Sequence, residues 1–144
     1  MSAIQTFGLS ISAPSESKAR RWTGRILTGL VVLFLLFDGI TKVVKERHVL
    51  QAAADLGYSA NVIAGIGVLL LACVAVYVTP RSAVLGAVLL TGYLGGAVDA
   101  NVRAGHPLFE CIFPVIFGIL VWAGLFLREP RLGVLMPVRK QSDL

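Results

Sequence analysis

The stretch Ile26-Leu27-Thr28-Gly29-Leu30-Val31-Val32-Leu33-Phe34-Leu35-Leu36-Phe37-Asp38-Gly39-Ile40-Thr41-Lys42-Val43-Val44 decides the fold. As a helix rising about 1.5 Å per residue it covers about 28 Å, close to the ~30 Å hydrocarbon thickness of a bilayer. Its two charges, Asp38 and Lys42, fall near its end, and nothing ionisable precedes them in the run. Three more runs of similar length follow, at 61–78, 83–100 and 108–127. None alternates apolar with polar residues, so a lipid-facing barrel is excluded and helices are expected. The chain is 56% hydrophobic and 15% charged, with mean hydropathy +0.81, more apolar surface than a water-soluble domain of 144 residues can bury. The expected fold is all-α and membrane-embedded, an antiparallel bundle of four transmembrane helices.

The net charge of +5 raises nucleic acid as a partner, but the placement of the charges argues for a lipid bilayer instead. Nine of the thirteen basic residues (Lys18, Arg20, Arg21, Arg25, Arg81, Arg128, Arg131, Arg139 and Lys140) fall on one side of the four spans. The other side holds Lys42, Lys45, Arg47 and Arg103. By the positive-inside rule both termini are cytoplasmic, in a multi-pass protein of the cell inner membrane, and the side that carries Lys42 and Arg103 is the outer one. The first span is too long for a secretory signal's apolar core and carries Asp38, so it is expected to stay uncleaved. Three regions follow: a polar, Ser-rich N-terminus at 1–21 expected to be disordered and cytoplasmic, a membrane domain at 22–137, and a cytoplasmic tail at 138–144.

Between the first and second spans, residues 45–58 are too polar to cross. Val49, Ala52, Ala53 and Leu56 recur at helical spacing, so a short interfacial helix is expected there, stopped by Gly57. Thr79-Pro80-Arg81 makes a tight turn, and the second and third spans form an antiparallel hairpin. Gly65 and Gly67 in the second span are read as points of close helix approach. In the third span Gly92 and Gly96 form a small-xxx-small pair suited to close packing, and Asp99 shares their face. Asp99 is therefore expected to point into the bundle, within reach of Arg103 one turn on. Pro107 is expected at the first helical position of the fourth span, which puts Glu110 in the first turn, where the helix dipole favours an anion. Pro114 lacks an N–H and is expected to disturb that helix. Cys73 and Cys111 lie at different depths, too far apart for a disulfide.

Six ionisable groups thus gather near the outer face. Charged groups inside membranes are costly and mark functional sites. Asp99, Glu110 and His106 are the candidate catalytic residues, as proton donors and acceptors; an imidazole suits proton transfer near neutral pH. Asp38, Lys42 and Arg103 are the candidate substrate-binding residues. No metal site is expected, because only one histidine is well placed among the oxygen ligands.

The tract Gly92-Tyr93-Leu94-Gly95-Gly96-Ala97-Val98-Asp99-Ala100-Asn101-Val102-Arg103-Ala104-Gly105-His106-Pro107 precedes an apolar run containing Pro114 and then Leu127-Arg128-Glu129-Pro130-Arg131-Leu132. With Asp38-Gly39-Ile40-Thr41-Lys42 and Leu56-Gly57-Tyr58, this order of motifs resembles the DoxX-like family over residues 22–137. The resemblance implies a small four-helix membrane protein, linked to thiosulfate:quinone oxidation and to membrane oxidoreductase assemblies that handle thiol stress. The chain itself carries no cysteine pair, haem-ligand pattern or flavin fingerprint. The expected function is a membrane-embedded enzyme or oxidoreductase-associated subunit. Its polar pocket near the outer leaflet would hold a small lipophilic molecule, with a quinone as the candidate cofactor and a protein partner or a second copy beside it. The alternatives are a non-catalytic assembly protein whose charges hold the bundle together, and a small-solute transporter.

Overall fold

A computed structural model of the chain describes residues 15–132. The expectations for residues 1–14 and 133–144, including the tail at 138–144, lie outside them. Five helices run in order: α1 Ser15–Val43, α2 Arg47–Asp55, α3 Ala60–Val78, α4 Ala83–Arg103 and α5 Leu108–Arg128. All but α2 are long and apolar enough to cross a membrane. The expected bundle and its short connecting helix are both present. One boundary differs: α1 begins at Ser15, so residues 15–21 are helical and not part of a disordered N-terminus. Glu16, Lys18, Ala19 and Arg20 are good helix formers, and they carry the helix past the point where its apolar run starts.

The bundle is inside-out relative to a water-soluble one. Leu33, Phe37, Leu108 and Phe109 are 67, 68, 73 and 72% exposed. In water such a surface would aggregate; in a bilayer it faces lipid tails. The core is a narrow column of Val31, Leu35, Leu70, Val74, Tyr77, Ala87, Leu90, Val121 and Leu125. α1 packs on α3 and α5, and α4 packs on the same two helices, so α1 and α4 face each other across the diagonal.

Hydrophobic burial does little to join helices in lipid, so close packing must do it. At the α1/α3 crossing Gly39 meets Gly67. A Cβ on Gly67 would lie 2.8 Å from Lys42 Cβ and 2.9 Å from the Gly39 carbonyl oxygen. In the α3–α4 hairpin, a Cβ on Gly86 would run into the Tyr77 backbone. Along the α1/α5 seam Phe34 stacks on Phe117 with centroids 4.4 Å apart, and Phe113 lies 4.9 Å from Phe117.

Three helices end alike at the end of the bundle that carries α2. In each, an amide two residues past the cap returns to the helix: Glu46 to the Thr41 carbonyl, Tyr58 to Ala53 and His106 to Asn101. This Schellman closure needs a left-handed residue just before that amide. Gly57 (φ 78°) and Gly105 (φ 71°) supply it freely, while Lys45 adopts φ 56° with a side chain. Glu46 then caps α2, its carboxylate accepting from the His48 and Val49 amides. Pro107 is the N-cap of α5 and not its first residue, so Glu110 still falls in the first turn.

Candidate functional site

The expected cluster of six charges resolves into three local pairs. Asp38 and Lys42 pair on α1 across one turn. Asp99 and Arg103 pair on α4 at 3.5 Å. His106 Nδ1 lies 2.6 Å from Glu110 Oε2, close enough for an ion pair but at an angle that makes no hydrogen bond. Among the described residues no ion pair joins one helix of the bundle to another. Neither Asp38 nor Lys42 pairs with Asp99 or Glu110.

Asp99 corrects a second expectation. Its side chain is 66% exposed and that of Arg103 79%, so the pair stands on the outside of the bundle. Gly92 and Gly96, whose spacing predicts a contact with a neighbouring helix, make none. A Cβ on either would meet nothing within 4 Å, and nor would one on Gly65. Gly92 and Gly96 instead form part of the wall of a cavity.

That cavity, about 530 Å³, lies between α3 and α4 under the end of α2. Its wall includes Lys42, Tyr58, Ile63, Cys73, Tyr93 and Asn101. A smaller space of about 160 Å³ adjoins it across the diagonal, between Asp38, Lys42, Phe34, Tyr93, Phe113 and Pro114. Lys42, Tyr93 and Ala97 belong to both walls. On the other side, Leu56, Tyr58 and Ala100 are shared with a surface groove of about 320 Å³ lined by Asp55 and Arg103. The three spaces form a series from the middle of the bundle to its α2 end. Leu69 and Leu89, 57 and 42% exposed, also line the large cavity, which opens sideways between α3 and α4 onto the lipid-facing surface.

Of the six expected site residues, Asp38 and Lys42 line the interior spaces and Arg103 lines the groove at the mouth. Asp99, His106 and Glu110 line none of them. The Asp38–Lys42 side chains are 34 and 18% exposed, against 66 and 79% for the α4 pair. An ammonium has three donors and a carboxylate about four acceptor sites. The pair uses one of each, and neither side-chain group bonds to any other described residue. Tyr93 lines both spaces, and its hydroxyl has no hydrogen-bond partner among the described residues either. The contact of Lys42 Cβ with Gly67 fixes where the lysine stem leaves α1. Three polar groups with unused capacity therefore converge on an apolar chamber.

Two features of this site escape hydropathy and charge. Tyr93 is neither charged nor in a motif of known chemistry. Its one signal is an aromatic ring with a polar tip inside Gly92-Tyr93-Leu94-Gly95-Gly96, where the surrounding glycines leave room around it. Asn101 has a legible cause. Pro114 has no N–H for the Glu110 carbonyl, and the Asn101 side-chain amide donates to that oxygen at 3.1 Å. The amide thereby ties the end of α4 to the proline-broken turn of α5.

Both cysteines are free, Cys73 buried in the cavity wall and Cys111 partly buried at the start of α5. Among the described residues no three histidine, cysteine, aspartate or glutamate side chains gather as metal ligands would. No curated protein and no solved structure matches the chain. The model of the DoxX-like family matches residues 26–124, which takes in α1 from its apolar start, the cavity walls and most of α5. The chain belongs to the DoxX-like family and is a multi-pass membrane protein of that family.

Proposed function

We propose that this protein binds a small lipophilic molecule with an oxygen-bearing head, of the quinone class, in the chamber around Asp38, Lys42 and Tyr93. The observation that carries the reading is the unused hydrogen-bonding capacity of these three groups inside an otherwise apolar cavity. Ligand sites combine apolar walls with a few such groups. Lys42 and Tyr93 donate to a carbonyl oxygen of the ligand, and Asp38 holds or delivers a proton. The lateral opening between α3 and α4 supports entry from the bilayer, where a lipophilic ligand is concentrated. The reading makes the chain a subunit of a membrane oxidoreductase: reduction of a quinone takes two electrons and two protons, and an electron-carrying protein partner supplies the electrons. The same proposal places the protein in the inner membrane with both termini cytoplasmic, since Arg21, Arg25, Arg128 and Arg131 gather at the end opposite α2.

The reading of the charges as clamps between helices gains nothing from the geometry, because each pair closes within its own segment. A thermal-shift assay in detergent tests the proposal. A short-chain benzoquinone should raise the melting temperature of the wild type and fail to raise that of Lys42→Met. An equal shift in both would remove Lys42 from the site, and no shift in either would reject the ligand class.

A further inference from the structure

The opposite end of the bundle carries a second site, independent of the cavity. Arg21 and Arg25, one turn apart on α1, line a groove of about 410 Å³ together with Arg128, Glu129, Pro130 and Arg131 at the end of α5. We infer that this groove binds the phosphate of an anionic phospholipid.

Four guanidiniums face one carboxylate there, and among the described residues none of the four is paired with an acid. Left alone, such a concentration of like charge destabilises the fold. A topology signal requires only that the arginines lie on one side of the membrane. It does not require two elements to converge on one concave surface. The convergence is built: a Cβ on Gly24 would come within 2.8 Å of the Arg128 backbone nitrogen and of Leu127 Cβ, so only a glycine lets α1 lie this close to the end of α5. Arg128 is held in place from behind. It donates to the Tyr77 carbonyl at 3.0 Å, and its guanidinium lies 4.9 Å from the centroid of the Tyr77 ring. Tyr77 is in turn anchored by its hydroxyl, which donates to the Val121 carbonyl at 2.8 Å.

The depth of the groove identifies the source of the phosphate. The apolar run of α1 begins at Ile26, immediately after Arg25, and α5 ends at Arg128. The groove therefore lies at the membrane boundary, where lipid phosphates are. Guanidiniums present planar, paired donors that match phosphate oxygens. On α1 the neighbouring stripe Trp22, Ile26 and Leu30 is exposed and apolar, a surface against which acyl chains of a bound lipid can lie.

Native mass spectrometry on the full chain tests the inference, with phosphatidylglycerol and phosphatidylcholine added at equal concentration to the detergent-purified protein. Retained adducts of phosphatidylglycerol should exceed those of phosphatidylcholine in the wild type, a comparison that needs no variant. Arg25→Gln/Arg131→Gln should lose roughly ten-fold or more of that preference, from the removed charge-assisted hydrogen bonds. Arg81→Gln, in the α3–α4 turn on the same side, should keep it. Equal retention of the two lipids by the wild type would overturn the inference, as would loss of preference in Arg81→Gln as large as in the double variant. A third arm uses inorganic phosphate. If millimolar phosphate displaces the bound phosphatidylglycerol completely, the groove is a site for free anions, and the lipid assignment fails.

Discussion

Alanine at Gly67 and alanine at Gly65, two residues apart on α3, should act on stability in opposite directions. The Cβ added at Gly67 would lie 2.8 Å from Lys42 Cβ, 2.9 Å from the Gly39 carbonyl oxygen and 3.1 Å from Val43 Cγ2. Ordinary contact begins near 3.5 Å. Two of these three atoms belong to backbone or to the first carbon of a side chain and cannot rotate away, so α1 and α3 must separate by several tenths of an ångström. Overpacking of this kind costs about 1–3 kcal/mol. At Gly65 the added carbon meets nothing within 4 Å. There the substitution removes only the helix penalty of glycine, up to about 1 kcal/mol in water and less in lipid. The assay is reversible unfolding in mixed micelles with increasing denaturing detergent. Gly67→Ala should unfold at a lower fraction of that detergent than wild type, and Gly65→Ala at the same or a higher one. Because the displaced atom is Lys42 Cβ, Gly67→Ala should also weaken ligand binding in the chamber. A Gly67→Ala protein as stable as wild type would show that α1 and α3 do not cross at Gly39 and Gly67, and the placement of Lys42 would fall with it.

Replacing Asp38 by Asn or Lys42 by Met should each destabilise more than the double replacement does, because an unpaired charge at the centre of a membrane helix costs about 2.5–3.5 kcal/mol and this half-buried pair should feel a sizeable part of it; a double-mutant cycle by the same unfolding assay would refute the pairing if the effects simply added. The Asp99→Asn/Arg103→Gln cycle should give a coupling below about 1 kcal/mol, as exposed pairs do, and a larger value would mean that the pair is buried by something outside the bundle. Asn101→Leu should cost roughly 0.5–1.5 kcal/mol by removing the donor to the Glu110 carbonyl, measured by unfolding, whereas Asn101→Leu in a Pro114→Ala background should cost much less; equal costs in both backgrounds would break the link between the two residues. A cysteine placed at Gln51 should react in intact cells with a membrane-impermeant thiol reagent, and one placed at Ser2 should not; labelling at Ser2 from outside would reverse the topology.

The four spans were legible because the bilayer makes one demand of every crossing helix, a length of apolar residues, and hydropathy reads that directly. The start of α1 was not, since hydropathy locates a membrane edge and the helix runs on beyond it through residues that favour helix for their own reasons. Asp99 was misplaced for a more instructive cause. Small residues four apart can mark either a helix contact or the floor of a cavity, and the sequence of one helix does not say which. Gly24, Gly39, Gly67, Gly86 and Gly124 are contact glycines, and they make their contacts with partners on other segments. Gly92 and Gly96 are the glycines of the chamber. Asp38 and Lys42 stand out in the sequence by the cost of charge in lipid, which applies wherever a span is recognised. Tyr93 does not stand out in the sequence, because the space it lines is made by α1, α3 and α4 together.

The most direct test of the chamber is to close it without disturbing the bundle. Gly96 lines the cavity, and a Cβ there meets nothing within 4 Å, so Gly96→Leu should fold with the stability of wild type while occupying the entry between α3 and α4. Solvent extracts of wild type and Gly96→Leu, purified in parallel from the same membranes, are compared by mass spectrometry for quinone-class molecules per protein. The account predicts a molecule of this class retained by the wild type and depleted from Gly96→Leu at equal melting temperature. Equal retention by two equally stable proteins would contradict it.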